Sequence, residues 1–253
     1  MKRAFGTLIG TGILLAASAA SAQQYGGGYS GSYSTGNYSP AAPSYPSGID
    51  NIGNAGQFTV AVERITGLYF DRETRKPSGG SSTTQKTTHL ALLGNTGGSP
   101  SATPRAAFDY FIIDGLSLGG SISYMSNAPS GGGSQKLFML SPRVGYAYAF
   151  DDTFSIWPRL AFTYAHLSQA QSVPTTSGGT ASATASTNLT QLNLEAMLGI
   201  SPFKHVAFLV GPYLDLGLGG STSVPSYAGS SSNTKTDEKL TSFGLTAAIL
   251  AYY

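Results

Sequence analysis

From Phe138 to Phe150 the sequence alternates with a period of two. Phe138, Leu140, Pro142, Val144, Tyr146, Tyr148 and Phe150 form one series; Met139, Ser141, Arg143, Gly145, Ala147 and Ala149 form the other. In an extended chain those series point to opposite faces. The pattern returns over Phe154–Tyr164, Leu192–Ile200, Val206–Leu218 and Phe243–Tyr253. The second face is what constrains the fold. A sheet wetted on one side would carry Lys, Glu and Thr there, as in a soluble sandwich. Here it carries Gly, Ala and Ser with isolated charges. Large apolar residues on one face and small ones on the other suit a barrel with hydrocarbon outside and a narrow interior. The expected fold class is all-β, a transmembrane antiparallel up-and-down β-barrel.

Composition agrees. Charged residues make up 10% of the chain, against about 25% in ordinary soluble proteins. A net charge of +2 gives no reason to expect nucleic acid, and the absence of cysteine excludes disulfides and thiolate metal sites. The start reads as a secretory signal peptide over residues 1–22: Lys2 and Arg3, an apolar run from Phe5 to Ala17, then Ala20-Ser21-Ala22 as the cleavage motif. That run is too short, and too interrupted by Gly6, Gly10 and Gly12, to span a bilayer of about 20 residues. Residues 23–56 are rich in Gly, Ser, Tyr and Pro and read as a flexible leader. The barrel is expected over 57–253.

Turn signals sort by length. Asp114-Gly115, Asp151-Asp152 and Ser201–His205 are tight connections; 72–86, 128–136, 169–187 and 220–237 read as long Ser/Gly/Thr loops. Short turns at one end and long loops at the other are the outer-membrane barrel arrangement. Eight strands are expected, near 58–70, 104–113, 116–126, 137–150, 153–167, 187–200, 205–219 and 238–253. The segment His89–Leu93 is the odd piece. It is read as the upper part of the second strand, set off by the insertion Asn95–Pro104; ten strands is the alternative. Pro142, Pro158 and Pro212 each delete a ladder hydrogen bond, so they are expected at bulges or near a membrane interface.

The inward register collects Glu63, Arg105, Asp109, Arg143, Arg159, Glu195 and Asp215. Eight strands leave room for little more than side chains. Buried charges are costly unless paired, so a salt-bridged plug is expected in preference to a pore, with Trp157 filling the lumen further. The histidines are His89, His166 and His205. His205 falls in a tight turn, and His166 is the best rim candidate for catalysis. No nucleophile elbow, metal-ligand spacing or phosphate loop accompanies them, so no enzyme activity, cofactor or metal is expected.

The last strand, with Phe243, Leu245, Ile249 and Tyr253 on one face, resembles the C-terminal β-signal of outer-membrane barrels, although it ends in Tyr rather than Phe. The segments PRAAFDYFIIDGLSLGGSISY and SPRVGYAYAFDDTFSIWPRLAFTYAH resemble the OmpA-like and OmpX-like outer membrane β-barrel superfamily over roughly 57–253. That resemblance implies eight strands, insertion by the barrel assembly machinery, and roles in envelope integrity, adhesion or surface masking. It implies no catalytic residues. The expected setting is the bacterial outer membrane. Expected partners are its lipid and lipopolysaccharide, the assembly machinery and an extracellular ligand at the loops, with the chain a monomer. A narrow channel for ions or small solutes is the alternative, and a lipid-modifying enzyme a more distant one.

Overall fold

The structure, a computed structural model, describes residues 52–92, 99–128, 133–174, 179–225 and 233–253. The expected signal peptide, most of the leader and the tips of the upper connections lie outside the described residues. The alternating segments form strands in chain order: β1 (Phe58–Pro77), β2 (Thr83–Ala91), β3 (Arg105–Phe111), β4 (Leu116–Asn127) and β5 (Ser134–Tyr146), then β6 (Tyr148–Ala149), β7 (Phe154–Pro174), β8 (Thr180–Phe203), β9 (Val206–Pro225) and β10 (Asn233–Tyr252). Every pairing is antiparallel, and β1 closes on β10 from Thr59 opposite Tyr252 to Pro77 opposite Thr236.

Ten segments make eight wall strands. β3 pairs with the lower part of β1, from Phe58–Tyr110 to Glu63–Arg105. β2 pairs with the upper part on the same side, from Gly67–Ala91 to Arg75–Thr83. The two are one strand in two pieces, as the His89 segment suggested. β6 likewise continues β5 against β7. Within the insertion, a 3-10 turn over Pro100–Ala102 is buried, and Ala102 packs with Tyr69, Ala91 and Tyr213 inside the ring.

Facing follows the alternation. Phe108, Leu140, Leu160, Phe162, Leu194, Phe208, Val210, Leu245 and Ile249 lie outward and exposed, whereas Leu137, Met139, Trp157, Met197, Leu209 and Leu250 are buried. Outward charges occur at Arg72, Lys86, Lys136 and Lys239 near the upper end and in the lower turns at Asp114, Asp151 and Lys204. Among the described residues none lies outward between those limits, which leaves an uninterrupted apolar belt of the kind hydrocarbon requires.

Two expectations need correction. The stretches 72–86, 169–187 and 220–237 are mostly strand: β1 runs to Pro77, β7 to Pro174, β8 starts at Thr180 and β9 reaches Pro225. Above the belt both faces of a hairpin meet water, so hydrophobic alternation vanishes although the ladder continues. The prolines are not at bulges either. Register shifts lie at Val62/Thr66, Asp237/Ser242, Thr190/Gln191 and Ile200/Phe203. Instead, the β5–β7 ladder skips Ser141 and Pro142, and the β8–β9 ladder skips Gly211 and Pro212. Each of these two prolines faces lipid beside a short gap in pairing.

The three tight connections are as expected, and Gly115 and His205 take left-handed φ values of 80° and 66°. Residues Ile52–Gly56, placed at the end of the expected leader, pack onto the lower end. Gly56 N donates to Phe111 O (2.8 Å), Gly115 N donates to Gly53 O (2.7 Å), and Ile52 joins the core of Phe111, Trp157 and Leu209.

Candidate functional site: the lumen and the cavity above it

The seven charged residues expected inside all face the lumen: six are buried and Glu195 is half-buried. Six of the seven join in one chain, completed by a residue that alternation misplaces. Arg143 Nε donates to Asp109 Oδ1 (2.8 Å), and its Nη1 to Glu63 Oε2 (2.7 Å). The other Glu63 oxygen accepts from Arg159, whose Nη2 donates to Glu195 Oε2 (2.6 Å). Arg64 then takes over: Nη2 donates to Glu195 Oε1 (3.1 Å) and Asp215 Oδ1 (2.9 Å), and Nη1 to Asp215 Oδ2 (2.6 Å). The order is Asp109–Arg143–Glu63–Arg159–Glu195–Arg64–Asp215, with alternating sign throughout.

Arg64 follows Glu63 directly, so a regular strand would point it at lipid. Between Val62 and Thr66, β1 carries two more residues than β10 opposite, and Arg64 has φ 55°, which turns its side chain inward to 1% exposure. A signal was present in the sequence: an arginine on the lipid face costs about 2–4 kcal/mol at mid-depth, so the register there had to break. The addition corrects the charge count from three against four to four arginines against four carboxylates. Arg105 is the remaining member and does not join the chain. It makes no ion pair with a carboxylate among the described residues, and its Nε and Nη2 have no hydrogen-bond partner. Its positive charge still balances the chain, which alone carries one excess negative charge.

Neighbours lock the chain in place. Asn193 Nδ2 donates to Asp215 Oδ1 (2.7 Å), and the Arg64 guanidinium lies 4.5 Å over the Tyr213 ring. Trp157 lies below, with the Arg159 guanidinium 5.1 Å over its ring and its Nε1 donating to Ser117 Oγ (3.2 Å). Gly145 makes this possible, because a Cβ there would stand 2.4 Å from Trp157 Nε1. Arg64 also donates to the carbonyl of Ser101, which ties the buried 3-10 turn over the chain. The lumen is thus crossed by charge pairs, capped above by residues 99–102 and closed below by Trp157, Phe111 and Ile52.

Above that cap, within the rim, is a cavity of about 460 Å³. Ser99 and Pro100 form its floor. Asp71, Glu73, Arg75 and Glu238 come from β1 and β10, His89 from β2, and Leu167, Leu189 and Val224 from β7–β9. Ser99 Oγ donates to Asp71 Oδ2 (2.5 Å), and His89 Nε2 is 3.5 Å from the same oxygen. Arg75 bridges Glu73 and Glu238. Burial, and then the adjoining Glu238 carboxylate, push Glu73 up to about 7. Burial also acts to raise Glu238, but hydrogen bonds from Glu73 and Thr222, with Arg75 nearby, outweigh it and hold Glu238 below the usual carboxylate value. The two acids therefore share one proton near neutrality. Sequence reading missed this cluster because Glu73 and Arg75 fall in a stretch read as loop, and Asp71 and Glu238 at the ends of the expected strands.

The other histidines are engaged elsewhere. His166 Nδ1 is 2.7 Å from Asn188 Oδ1, and His205 Nδ1 is 2.9 Å from Tyr252 O, with its ring stacked on Tyr253. Phe243, Leu245 and Ile249 face outward on β10, and Tyr253, just past its end, is exposed as well. Among the described residues no group of three or more His, Asp or Glu side chains is arranged to hold a metal ion.

An eight-stranded antiparallel ring with an unbroken outward apolar belt and a charge-paired interior is a transmembrane β-barrel. No family model matches the chain, and no curated protein matches it. Among solved structures it is similar to the outer membrane protein OprG from Pseudomonas aeruginosa, with 13% identity, a TM-score of 0.46, and coverage of 79% of this chain and 99% of that one. It is also similar to Ail, the attachment invasion locus protein of Yersinia pestis (12%, 0.34, 78% and 99%). A third is the outer membrane protease OmpT from Escherichia coli (6%, 0.42, 78% and 97%). The barrel itself rests on the strand pairing above.

Proposed function

We propose that this chain is an outer-membrane barrel that acts as a closed scaffold, presenting its rim to the cell exterior for envelope integrity, adhesion or surface masking. The observation that carries the reading is the seven-residue charge chain across the lumen, under a buried cap. A conducting path would need those pairs parted, and parting a buried pair costs several kcal/mol. The expected signal peptide and the outward Phe243, Leu245, Ile249 and Tyr253 support export followed by delivery to the barrel assembly machinery. The apolar belt supports contact with outer-membrane lipid and lipopolysaccharide.

Planar-bilayer recording of refolded protein is the test. The expected result is no steady conductance; stable single-channel steps would replace the scaffold with the narrow channel. The rim role is tested by shortening the hairpins between Pro77 and Thr83 and between Pro174 and Thr180, with folding checked by the gel shift between heated and unheated samples. Surface phenotypes unchanged in folded variants would remove the rim from the account. Outer-membrane fractionation tests the location.

A further inference from the structure

We propose that the rim cavity is a binding site for a small organic cation, a primary ammonium on a short aliphatic chain. The inference deepens the scaffold reading and rests on it, because the floor at Ser99 and Pro100 makes the cavity a place to bind and not an entrance to a path.

The two walls differ in chemistry. On one side β1 and β10 supply three carboxylates, Asp71, Glu73 and Glu238. The single guanidinium among them, Arg75, is 57% exposed and reaches Glu73 and Glu238 from the solvent side. On the other side Leu167, Leu189 and Val224, with Leu240 beside Glu238, form an aliphatic surface. The volume, about 460 Å³, falls within the range of small-molecule sites, about 300–1,000 Å³. A cation with an aliphatic body satisfies both walls at once; an anion or a purely apolar molecule satisfies one.

A second observation points the same way. Asp71 lines the cavity with its side chain only 7% exposed. Ser99 and His89 both address Oδ2, while Oδ1 has no hydrogen-bond partner. A buried carboxylate left half satisfied is a cost the fold carries, and a cation held in the adjoining cavity offsets it through charge. Its negative charge adds to that of the Glu73–Glu238 pair and leaves the carboxylate wall with a surplus.

The pair also sets the pH response. A bound ammonium favours both carboxylates ionised, so binding expels the proton that Glu73 and Glu238 share. The titratable groups facing the cavity are Asp71, Glu73 and Arg75 on β1, His89 on β2 and Glu238 on β10; the lining residues of β7, β8 and β9 carry none. Affinity therefore rises with pH through neutrality.

The experiment uses the refolded full-length chain in zwitterionic detergent, titrated calorimetrically with n-butylammonium, 1-butanol and tetramethylammonium. Saturable binding of n-butylammonium alone is expected, tighter at pH 8 than at pH 5.5. Glu238→Gln, with folding verified by heat-modifiable migration, should weaken it by about tenfold or more, the scale of one charged hydrogen bond. No saturable n-butylammonium binding overturns the proposal, as does equal binding of 1-butanol, which would make the cavity merely apolar. Should Glu238→Gln fail to fold, the wild-type pH profile decides, and a flat profile counts against the site. Conductance in the bilayer assay would sink the scaffold reading separately, without touching this result.

Discussion

Replacing Arg64 with alanine probes the part of the lumen that strand periodicity cannot anticipate. The guanidinium is 1% exposed and donates to both oxygens of Asp215, to Glu195 and to the Ser101 carbonyl. Its removal strands a fully buried Asp215 with Asn193 as its one hydrogen-bond donor among the described residues. Breaking a buried pair from one side costs about 3–5 kcal/mol. Backbone strain adds a distinguishing detail. Alanine inherits φ 55° at this position, whereas Arg64→Gly relieves about 1 kcal/mol of left-handed strain and should lose correspondingly less. Adding Asp215→Asn removes the orphaned charge, so the double variant should fall short of the summed single losses by at least about 1 kcal/mol. Urea unfolding in lipid vesicles measures wild type, the three single variants and the double variant, with the chain's single tryptophan, Trp157, as the reporter. An Arg64→Ala protein within about 0.5 kcal/mol of wild type, or strictly additive losses, would refute the chain as a coupled unit.

Three further outcomes are expected. Gly145→Val drives a side chain into Trp157, where a Cβ alone would stand 2.4 Å from Nε1; destabilisation of about 1–3 kcal/mol and an altered Trp157 emission maximum should accompany it. Leu160→Arg sets a charge in the outward belt and should cost about 2–4 kcal/mol in a bilayer, with a markedly smaller effect in detergent micelles. Glu73, raised from 4.5 to about 7, holds its proton more tightly folded than unfolded. Its contribution is therefore complete below about pH 4.5 and lost as pH rises through 7, while Glu238, lowered, has the opposite pH dependence: its contribution is present at neutral pH and lost on acidification. Hydrogen exchange of the rim amides of β1 and β10 should quicken, beyond the intrinsic pH effect, between pH 5 and 8, and Glu73→Gln should abolish that increase.

How far the sequence could be read depended on what each strand faces. Where lipid lies on one side and a narrow lumen on the other, as at Phe138–Phe150, the contrast between faces is large and the register was legible to the residue. The split second strand was legible too, because a separate His89 strand would have made nine where a closed barrel takes an even number; His89–Ala91 indeed shares the side of β1 that Arg105–Phe111 occupies lower down. Legibility failed where that contrast disappears. Thr180–Asn188 is as much a strand as Leu192–Ile200, but above the belt the outer face loses its large apolar residues and a run of Ser, Thr and Ala shows no pattern. Arg64 was hidden for another reason. A two-residue excess in one strand is invisible in local composition, and its only trace is a charge where none should be. The acidic cavity followed the first failure, since Glu73 was read as loop while Asp71 and Glu238 stood at the very ends of the expected strands, with no inward face assigned to them.

The closure of β1 on β10 has a consequence for how the molecule comes into being. The first and last strands are neighbours from Thr59–Tyr252 to Pro77–Thr236, so no circle exists until the final residues arrive. Every shorter chain, whatever its length, ends in two raw sheet edges, which invite association with other chains. The charge chain obeys the same schedule: Arg64, near the start, has its partner Asp215 close to the finish. An unfinished copy is therefore open at the seam and unneutralised inside, two defects that vanish together only when the last strand is set in place.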